Sequence, residues 1–299
     1  MAVSGAPPAR VEVAAPAKVN LALLVGPRRG DGYHEVFSLM LPVTLADLVV
    51  AERLRDGGVL VDCPVSPGED NLVAHMAHEL ERRLERRFHV RFTIAKRVPH
   101  GAGLGGGSSD AAAALVALER LYDLRLPPRV RHEAAAAVGS DVPFFLWPGP
   151  QVAMGRGQAL TAVDLPEPLH LVVAVPDLAL STETVYRWRD EDVALSLLEF
   201  APRTQALLAA IGAARRPADI AALVHNDLEA HVAARHPRVG ALKQALLDAG
   251  ARAASMSGSG AAVFGLFEGA EAAEKARARL ASARAFCVSD LQPRAPGSR

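Results

Sequence analysis

A run of glycines closed by two serines and an aspartate is the segment whose chemistry is most evident. Residues 99–110 read Pro-His-Gly-Ala-Gly-Leu-Gly-Gly-Gly-Ser-Ser-Asp, and an alanine-rich segment typical of a helix follows at once. Glycines lack a Cβ, so successive backbone N–H groups can turn inward and approach an anion closely. A helix that begins near Ser109 would add the unpaired donors of its first turn and the positive end of its dipole. The segment therefore predicts a phosphate-binding loop.

Two familiar phosphate loops fit this segment poorly. A Walker A loop requires Lys and then Ser or Thr after its last glycine, but Ser108 follows Gly107 here. The dinucleotide pattern G-x-G-x-x-G is met within residues 101–106, yet any run this rich in glycine satisfies it. The preceding residues 90–97 alternate apolar and polar side chains, whereas the first strand of a doubly wound sheet is apolar on both faces. A nicotinamide-dependent oxidoreductase is therefore disfavoured.

Three polar side chains stand where the local pattern is otherwise apolar. The two-residue period of a strand puts Lys18 and Asn20 on one face, which is either a solvated edge or the wall of a cleft. The small residues around them favour the cleft. Asp141 follows the helix-ending Gly139 and precedes the apolar run 142–147. It is either a turn residue or a base that desolvation tunes for proton transfer.

A second glycine-rich element, residues 255–260, precedes a predicted strand late in the chain. Taken alone, this element could be a tight turn. Two such loops in one chain, together with an acid and a lysine and without a cluster of metal ligands, suggest a kinase. The site of such an enzyme works mainly by positioning its substrates and stabilising charge.

The composition is that of a globular enzyme. At 299 residues the chain exceeds the size at which single cores usually stop growing, which predicts two domains. The 33 basic and 33 acidic side chains cancel, so a nucleic-acid or membrane partner is not expected. Two distant cysteines, Cys63 and Cys287, and an N-terminus without the apolar core of a signal peptide predict a cytoplasmic location.

Periodicity predicts mixed α and β structure throughout the chain. Strands are expected at residues 11–15, 18–25, 36–43, 48–53, 88–94, 152–154, 169–175 and 261–267. Helices are expected at residues 72–86, 110–122, 128–138, 193–198, 203–213, 217–223, 228–234, 237–249 and 270–281. Because the strands alternate, antiparallel or mixed sheets with helices on one face are predicted, which is an α+β class.

The glycine loop and the motifs around it resemble the GHMP kinases, small-molecule kinases that include galactokinase, homoserine kinase and mevalonate kinase. The motifs run in order along the chain: Ala-Pro-Ala-Lys-Val-Asn-Leu at 15–21, Asp-Gly-Tyr-His-Glu at 31–35, the loop itself, Asp-Val-Pro-Phe-Phe at 141–145, Asn-Asp-Leu-Glu at 226–229 and Met-Ser-Gly-Ser-Gly at 256–260. Within the family they are similar to the branch that phosphorylates the 2-hydroxyl of a cytidine-diphosphate-linked methylerythritol, in the non-mevalonate (MEP) route to isoprenoid precursors.

The resemblance implies two domains with the active site between them. An N-terminal domain like ribosomal protein S5 domain 2 would cover residues 1–166, and a ferredoxin-like C-terminal domain would cover residues 167–290. Residues 291–299 are expected to form a loose tail. ATP would be the co-substrate, and Mg²⁺ is expected with it because the metal bridges phosphate oxygens. The sequence does not show which side chain, if any, contacts that ion, and Ser108 or Ser109 is the candidate.

The resemblance also implies roles for single residues. By motif position, Asp141 matches the catalytic base, and Lys18 matches the lysine that holds this acid ionised and steadies the substrate hydroxyl. The ATP loop would bind through Pro99, His100, Gly101, Ala102, Gly103, Leu104, Gly105, Gly106, Gly107, Ser108 and Ser109.

On the substrate side, Asn20 matches a polar contact and His34 matches the residue that hydrogen-bonds the edge of cytosine. Tyr33 matches an aromatic side chain that stacks on the base. Tyr186 stands where the family carries a second stacking aromatic, although the residues around it are not distinctive.

Two alternatives to this function remain open from the sequence. Another GHMP kinase, of the homoserine or mevalonate kinase type, would not require the Gly-Tyr-His segment at residues 32–34. A non-catalytic nucleotide-binding regulator would bind ATP without producing ADP. The expected partner is a small molecule, and the protein is expected to act as a monomer or a homodimer.

Overall fold

The computed structural model of the protein describes residues 8–192, 196–280 and 283–291. Within these ranges the chain forms two compact units. The first unit contains residues 8–17, 46–98 and 105–147, and the second contains residues 18–45, 99–104 and the described part of 148–291. The glycine loop is therefore divided, because its first part belongs to the second unit and its last part to the first.

The described residues form strands and helices along the whole chain. The strands are β1 (Arg10–Arg28), β2 (His34–Arg53), β3 (Val59–Asp62), β4 (Val90–Ala95), β5 (Gln151–Gly155), β6 (Ala159–Ala162), β7 (His170–Val175), β8 (His225–Asn226), β9 (Ala253–Met256), β10 (Val263–Phe267) and β11 (Arg284–Ser289). The helices are α1 (Leu72–Leu84), α2 (Gly106–Tyr122), α3 (Pro128–Val138), α4 (Thr182–Asp192), α5 (Leu197–Ala213), α6 (Pro217–Ile220), α7 (Glu229–Arg235), α8 (Pro237–Asp248) and α9 (Ala270–Arg279).

The first unit packs helices on a mixed sheet. The second half of β2 pairs antiparallel with β4, and β4 pairs parallel with β3. Strand β4 alternates buried and exposed residues, so it buries one face only. Helix α1 contacts both α2 and α3. Phe88, Phe92 and Leu80 lie in the core that these elements share, which fixes β4 against the helix that follows the glycine loop.

The second unit contains an antiparallel sheet in the order β11-β7-β10-β9. Helix α8 contacts β9 and β10, and α9 contacts β7, β10 and β11. In the same unit β1 pairs parallel with β8, and the first half of β2 pairs antiparallel with β5. The pairing of Leu23 with Asn226 places the motif 226–229 beside β1, about two hundred residues earlier in the chain.

The structure agrees with most predicted elements and corrects several bounds. Helix α3 has the predicted bounds, with proline in its first turn and Gly139 after its last residue. Helix α2 was predicted to begin at Asp110 but begins at Gly106. The helix predicted over 203–213 begins at Leu197, where Ser196 and Glu199 form a capping box. Strands β3, β6, β8, β9 and β11 and helix α4 were not predicted.

Some predictions fall on residues outside the described ranges. Residues 193–195 of the helix predicted at 193–198 are among them, and residues 197–198 belong to α5. Residues 292–299 of the expected tail also lie outside, as do residues 281–282 after α9. No helix within the described residues is long and apolar enough to span a membrane.

Candidate active site

Lys18 and Asn20 lie side by side on β1 and are both buried. The Lys18 ammonium donates to Asn20 Oδ1 over 2.5 Å, and the Asn20 amide nitrogen donates to Ser38 Oγ over 2.7 Å. Ser38 in turn donates to the carbonyl of Ala22. Each end of the Asn20 amide thus has its own partner, which fixes the orientation of the amide and aims its oxygen at Lys18. The sequence left open whether this face of the strand is a solvated edge or the wall of a cleft. Because both side chains are buried, the solvated edge was wrong.

The two glycine-rich elements are in contact within the second unit. The N–H of Ala262 donates to the carbonyl of Ala102 over 3.1 Å, and Ser257 Oγ donates to the carbonyl of Gly103 over 3.1 Å. Gly103 has φ +76°, and a Cβ built there would lie 2.1 Å from the carbonyl oxygen of Ser257. Only glycine allows this approach. The approach of the second glycine-rich element is therefore enough to require glycine at position 103.

Lys18 and Asn20 belong to the same cluster as these loops. The N–H of Lys18 donates to the carbonyl of Leu104 over 2.9 Å, and the N–H of Asn20 donates to Ser257 Oγ over 3.2 Å. A Cβ on Gly258 would lie 3.1 Å from Asn20 Oδ1 and 3.3 Å from Lys18 Nζ. The structure therefore brings the predicted lysine, the predicted amide and both glycine-rich elements together.

Two side chains of the motif 226–229 hold the second glycine-rich element in place. The Asn226 amide donates to the carbonyls of Met256 and Gly258 over 2.7 and 2.8 Å. Glu229 accepts from Ser255 Oγ and from the N–H of Met256, each over 2.8 Å. Asn226 itself is buried beside β1, and its oxygen accepts the N–H of Leu228. From the sequence this motif has no role beyond its resemblance to the GHMP kinases, and the structure gives it a positioning role.

The other predicted residues of the ATP loop lie as follows. Pro99 is buried and His100 is exposed, and both line a cavity of about 840 Å³ within the second unit. Gly105, with φ +70°, precedes α2 and leaves its end without a side-chain cap among the described residues. The last four loop residues, Gly106, Gly107, Ser108 and Ser109, form the first turn of α2. The free N–H groups of this turn are suited to binding an anion.

A buried ionic cluster at the base of α2 was not predicted. The Lys96 ammonium donates to Asp47 Oδ2 over 2.5 Å and to Asp110 Oδ2 over 2.8 Å. Asp47 Oδ1 also accepts the N–H groups of Arg97 and Val98. The cluster thus connects residues 96–98, which precede the glycine loop, to helix α2, which follows it. A Cβ on Gly106 would lie 3.3 Å from Lys96 Nζ, so this ammonium lies directly beneath the first residue of α2.

Burial and charge oppose one another in this cluster. Burial raises the pKa of Asp110 to about 7, although Lys96 favours its charged form. Burial lowers the pKa of Lys96, but the charges and hydrogen bonds of Asp110 and Asp47 together outweigh burial and leave that pKa above its ordinary value. Asp110 Oδ1 and Ser109 Oγ are buried without a hydrogen-bond partner among the described residues. Lys96 therefore remains a cation close to the uncapped end of the helix.

The side chains of His34 and Tyr186 are in contact, whereas the side chain of Tyr33 is exposed and lies against a different residue. The rings of His34 and Tyr186 lie 5.0 Å apart at 39°, and His34 is buried. Its Nε2 is 2.8 Å from Asp190 Oδ1 on α4. Tyr33 is 52% exposed, and the guanidinium of Arg156 lies 5.3 Å from the centre of its ring. The structure therefore brings two of the three predicted aromatic residues together and leaves the Tyr33 ring exposed beside Arg156.

Asp141 lies in the first unit, in the turn between α3 and a single turn of 3₁₀ helix at residues 143–146. It is half-buried. The N–H of Val142 donates to the carbonyl of Gly139 over 3.2 Å, so the turn that carries Asp141 is short and hydrogen-bonded. The backbone at Asp141 is therefore fixed, and part of the residue stays accessible.

The chain matches two family models, one in each half. The model described as GHMP kinases N terminal domain matches residues 71–149, and the model described as GHMP kinases C terminal matches residues 206–285. A solved structure of homoserine kinase from Cytophaga hutchinsonii superposes with a TM-score of 0.78 at 19% identity, covering 98% of this chain and 97% of that one. This likeness shows the GHMP kinase fold, a mixed α and β fold with two sheets, as predicted.

Relatives of higher identity narrow the family. The 4-diphosphocytidyl-2-C-methyl-D-erythritol kinase of Anaeromyxobacter dehalogenans strain 2CP-C is 46% identical over 89% of this chain and 84% of its own length. The kinase of the same name from Citrifermentans bemidjiense is 38% identical over 95% of this chain and 99% of its own. A crystal structure of 4-(cytidine 5'-diphospho)-2C-methyl-D-erythritol kinase superposes with a TM-score of 0.77 at 38% identity, covering 93% of this chain and 98% of that one. The chain therefore belongs to the GHMP kinases and, within them, to the family of 4-diphosphocytidyl-2-C-methyl-D-erythritol kinases.

Proposed function

We propose that the protein transfers the γ-phosphoryl group of ATP to the 2-hydroxyl of 4-diphosphocytidyl-2-C-methyl-D-erythritol, a step of the non-mevalonate route to isoprenoid precursors. The observation that carries the proposal is the cluster of Lys18, Asn20 and the two glycine-rich elements, in a chain up to 46% identical to kinases of that name. Such a cluster can position phosphate and hydroxyl groups and stabilise the charge that moves between them.

In this proposal Asp141 accepts the proton of the substrate hydroxyl, and Lys18 stabilises the charged carboxylate and the developing alkoxide. Two observations support these roles. Lys18 is buried and oriented by Asn20, so its ammonium has a defined position. Asp141 sits in a short hydrogen-bonded turn and stays partly accessible. A base must reach the proton that it removes within hydrogen-bond distance, and a fixed turn favours this.

The phosphates of ATP would bind at the loop 99–109 and at the N–H groups of the first turn of α2. The uncapped end of that helix supports this assignment. Mg²⁺, when bound, would neutralise charge on the phosphate oxygens. We assign its protein contact to Ser108, because Ser108 keeps an accessible side chain whereas Ser109 is almost fully buried.

The cytidine part of the substrate would bind at Tyr33, His34 and Tyr186. An exposed tyrosine ring can stack on a base, and an imidazole can hydrogen-bond its edge. The contact of Asn20 with substrate stays a prediction, since its amide is engaged by Lys18 and Ser38. We also propose a division of the sequence into two domains near residue 166, because the two matched family segments lie on either side of it, although residues 18–45 and 99–104 pack in the compact unit that contains the later residues.

A coupled ADP-release assay tests the function. We expect Mg²⁺-dependent ADP release with 4-diphosphocytidyl-2-C-methyl-D-erythritol, and far less with methylerythritol phosphate, homoserine or mevalonate. ATP binding without ADP release on any of these substrates would instead support the nucleotide-binding regulator. Comparable kcat/KM values with and without the cytidine moiety would return the protein to the wider class of small-molecule kinases.

A further inference from the structure

His34 has Asp190 as a polar partner outside its own strand among the residues that the structure describes. Its Nε2 lies 2.8 Å from Oδ1 of Asp190, and the His34 side chain is only 7% exposed, so water competes little for this contact. Asp190 lies four residues after Tyr186 on α4, which puts the two side chains on the same face of the helix. Helix α4 therefore presents both an aromatic ring and a carboxylate to His34.

Asp190 is itself held in place. The neighbouring Arg189 donates to the same Oδ1 atom over 3.3 Å. Arg189 is 3% exposed and donates from its other terminal nitrogen to the carbonyl of Val25 over 2.7 Å. The carboxylate is thus positioned by a buried arginine that is anchored to β1. This anchoring gives the contact with His34 a fixed geometry.

The contact has a consequence for the protons of the imidazole. An ionised carboxylate only accepts hydrogen bonds, so the ring nitrogen facing Asp190 must carry the proton. In the neutral ring the other nitrogen, Nδ1, then carries a lone pair and can only accept. Without Asp190, the two neutral tautomers would be free to exchange, and His34 could offer either a donor or an acceptor at Nδ1.

We propose that Asp190 is a positioning residue that fixes His34 as an acceptor at Nδ1 and so makes the enzyme select cytosine over uracil. This inference rests on the proposed function, which places His34 at the edge of the base. Cytosine presents an amino donor at position 4, whereas uracil presents a carbonyl acceptor there. An Nδ1 lone pair accepts from the amino group and repels the carbonyl. The preference is therefore set by a residue that need not touch the base.

The test compares kcat/KM for the cytidine substrate and for its uridine analogue in the unmodified enzyme and in two variants. Asp190→Ala removes the acceptor, and we expect the cytidine-to-uridine ratio to fall by about tenfold or more. The change should come through the KM of the cytidine substrate, with the KM of ATP unchanged. Asp190→Asn keeps an oxygen that can accept from both His34 and Arg189, so it should retain most of the ratio.

The same helix offers a matched control. Asp192 Oδ2 lies 2.7 Å from Nδ1 of His231, an acid–histidine pair of the same kind that does not involve His34. Asp192→Ala should leave the cytidine-to-uridine ratio unchanged. A similar fall in the Asp190→Ala and Asp192→Ala variants would mean that the loss reflects damage to α4, and it would overturn the proposal.

A second measurement does not depend on turnover. The ¹⁵N shifts of the His34 ring, assigned by their absence in His34→Gln, should show the Nε2–H tautomer in the unmodified protein and in Asp190→Asn. Asp190→Ala should show a mixture of tautomers. Failure of the unmodified enzyme to turn over either substrate would count against the proposed function. Normal turnover with an unchanged ratio in Asp190→Ala, or an Nδ1–H tautomer in the unmodified protein, would overturn this inference alone.

Discussion

The ammonium of Lys96 lies 2.8 Å from the Asp110 carboxylate, and this contact joins the last residues before the glycine loop to the first turns of the helix after it. Lys96 is also the cation shared with Asp47, whose side chain is fully buried. Two buried carboxylates therefore depend on one ammonium. Removing one partner of a buried ion pair is costly because an uncompensated charge stays behind.

We accordingly expect Lys96→Met to lower the free energy of unfolding by about 3–5 kcal/mol. Lys275→Met is the matched control, because Lys275 pairs with Glu271 at the surface, where both side chains are largely exposed. An exposed pair contributes about 0–1 kcal/mol, so this variant should unfold like the original protein. Urea unfolding of the unmodified protein and the two variants measures the free energy of unfolding. An equal loss of this free energy in both variants would show that the buried cluster is no more stabilising than an exposed ion pair.

The proposed base can be tested by an isosteric change. Asp141→Asn keeps the shape of the side chain but removes its basicity, so kcat should fall by about 10²-fold or more. ATP binding should survive, because the change lies outside the glycine loop. Steady-state kinetics and nucleotide titration measure the two effects. Turnover close to that of the unmodified enzyme would rule out the role of Asp141 as the base.

The glycines of the loop should differ sharply in what they tolerate. At Gly103 an alanine Cβ would meet the Ser257 carbonyl oxygen at 2.1 Å, and φ is +76°. We expect Gly103→Ala to destabilise the fold by at least about 2 kcal/mol. At Gly107 the nearest atom would be Leu72 Cδ1 at 3.7 Å, an ordinary contact inside a helix, so Gly107→Ala should be neutral or stabilising. Thermal unfolding of the two variants and the unmodified protein measures this difference. Similar melting temperatures for the two variants would contradict the close approach of Gly103 to Ser257.

Stability should depend on pH through Asp227. Its carboxylate accepts from the N–H of Val25, from Arg203 and from His225, and although burial opposes ionisation these bonds lower its pKa to about 2. The ordinary value is about 3.9, so the folded state binds this proton less readily than the unfolded chain. The contribution is therefore complete above about pH 4 and is lost as the pH falls towards 2. Asp227→Asn should lower the melting temperature at pH 7, and the difference from the unmodified protein should shrink steadily below pH 4.

Cys287 should react slowly although it is exposed. Partial burial, together with the hydrogen bond and charge of Glu274, raises the pKa of the thiol to about 12. The thiolate is the reactive form, so alkylation by iodoacetamide at pH 8 should be more than about tenfold slower than that of a free thiol. Glu274→Gln removes the neighbouring charge and should speed up the reaction. Mass spectrometry of the labelled peptide gives both rates, and fast labelling of the unmodified protein would refute the effect.

Local signals were enough to predict many elements and the chemical class of the site. The helix α3 could be predicted at both ends because a proline begins it and a glycine follows it. The start of α2 could not, since glycines at 106 and 107 have low helix propensity and only the packed structure shows that they are helical. Strand β8 has two residues and is defined by its pairing with β1. Two residues are too few to show an alternating pattern, so the sequence could not predict this strand.

The buried polar contacts were beyond sequence reasoning for a different reason. Asp47 lies 49 residues before Lys96, and each of the residues Asp47, Lys96 and Asp110 looks like an ordinary charged residue of a strand, loop or helix. The pairing of β4 with β2, in which Ala95 lies opposite Leu48, brings Lys96 to Asp47, and the packing of α2 adds Asp110. Asp190 likewise stands in the charged run 187–192, which is typical of a solvated helix face. Tertiary packing selects one of its acids as the partner of His34.

The contact between Gly103 and the residues 257–260 has a consequence for engineering. A designer who wished to graft the glycine loop into another protein would have to transplant a second segment with it, one that follows about 150 residues later in the chain. The loop is therefore not a portable module. A hybrid kinase made from this chain should take residues 99–104 and residues 255–262 from the same parent. The reason is that each segment fixes the conformation of the other through direct hydrogen bonds.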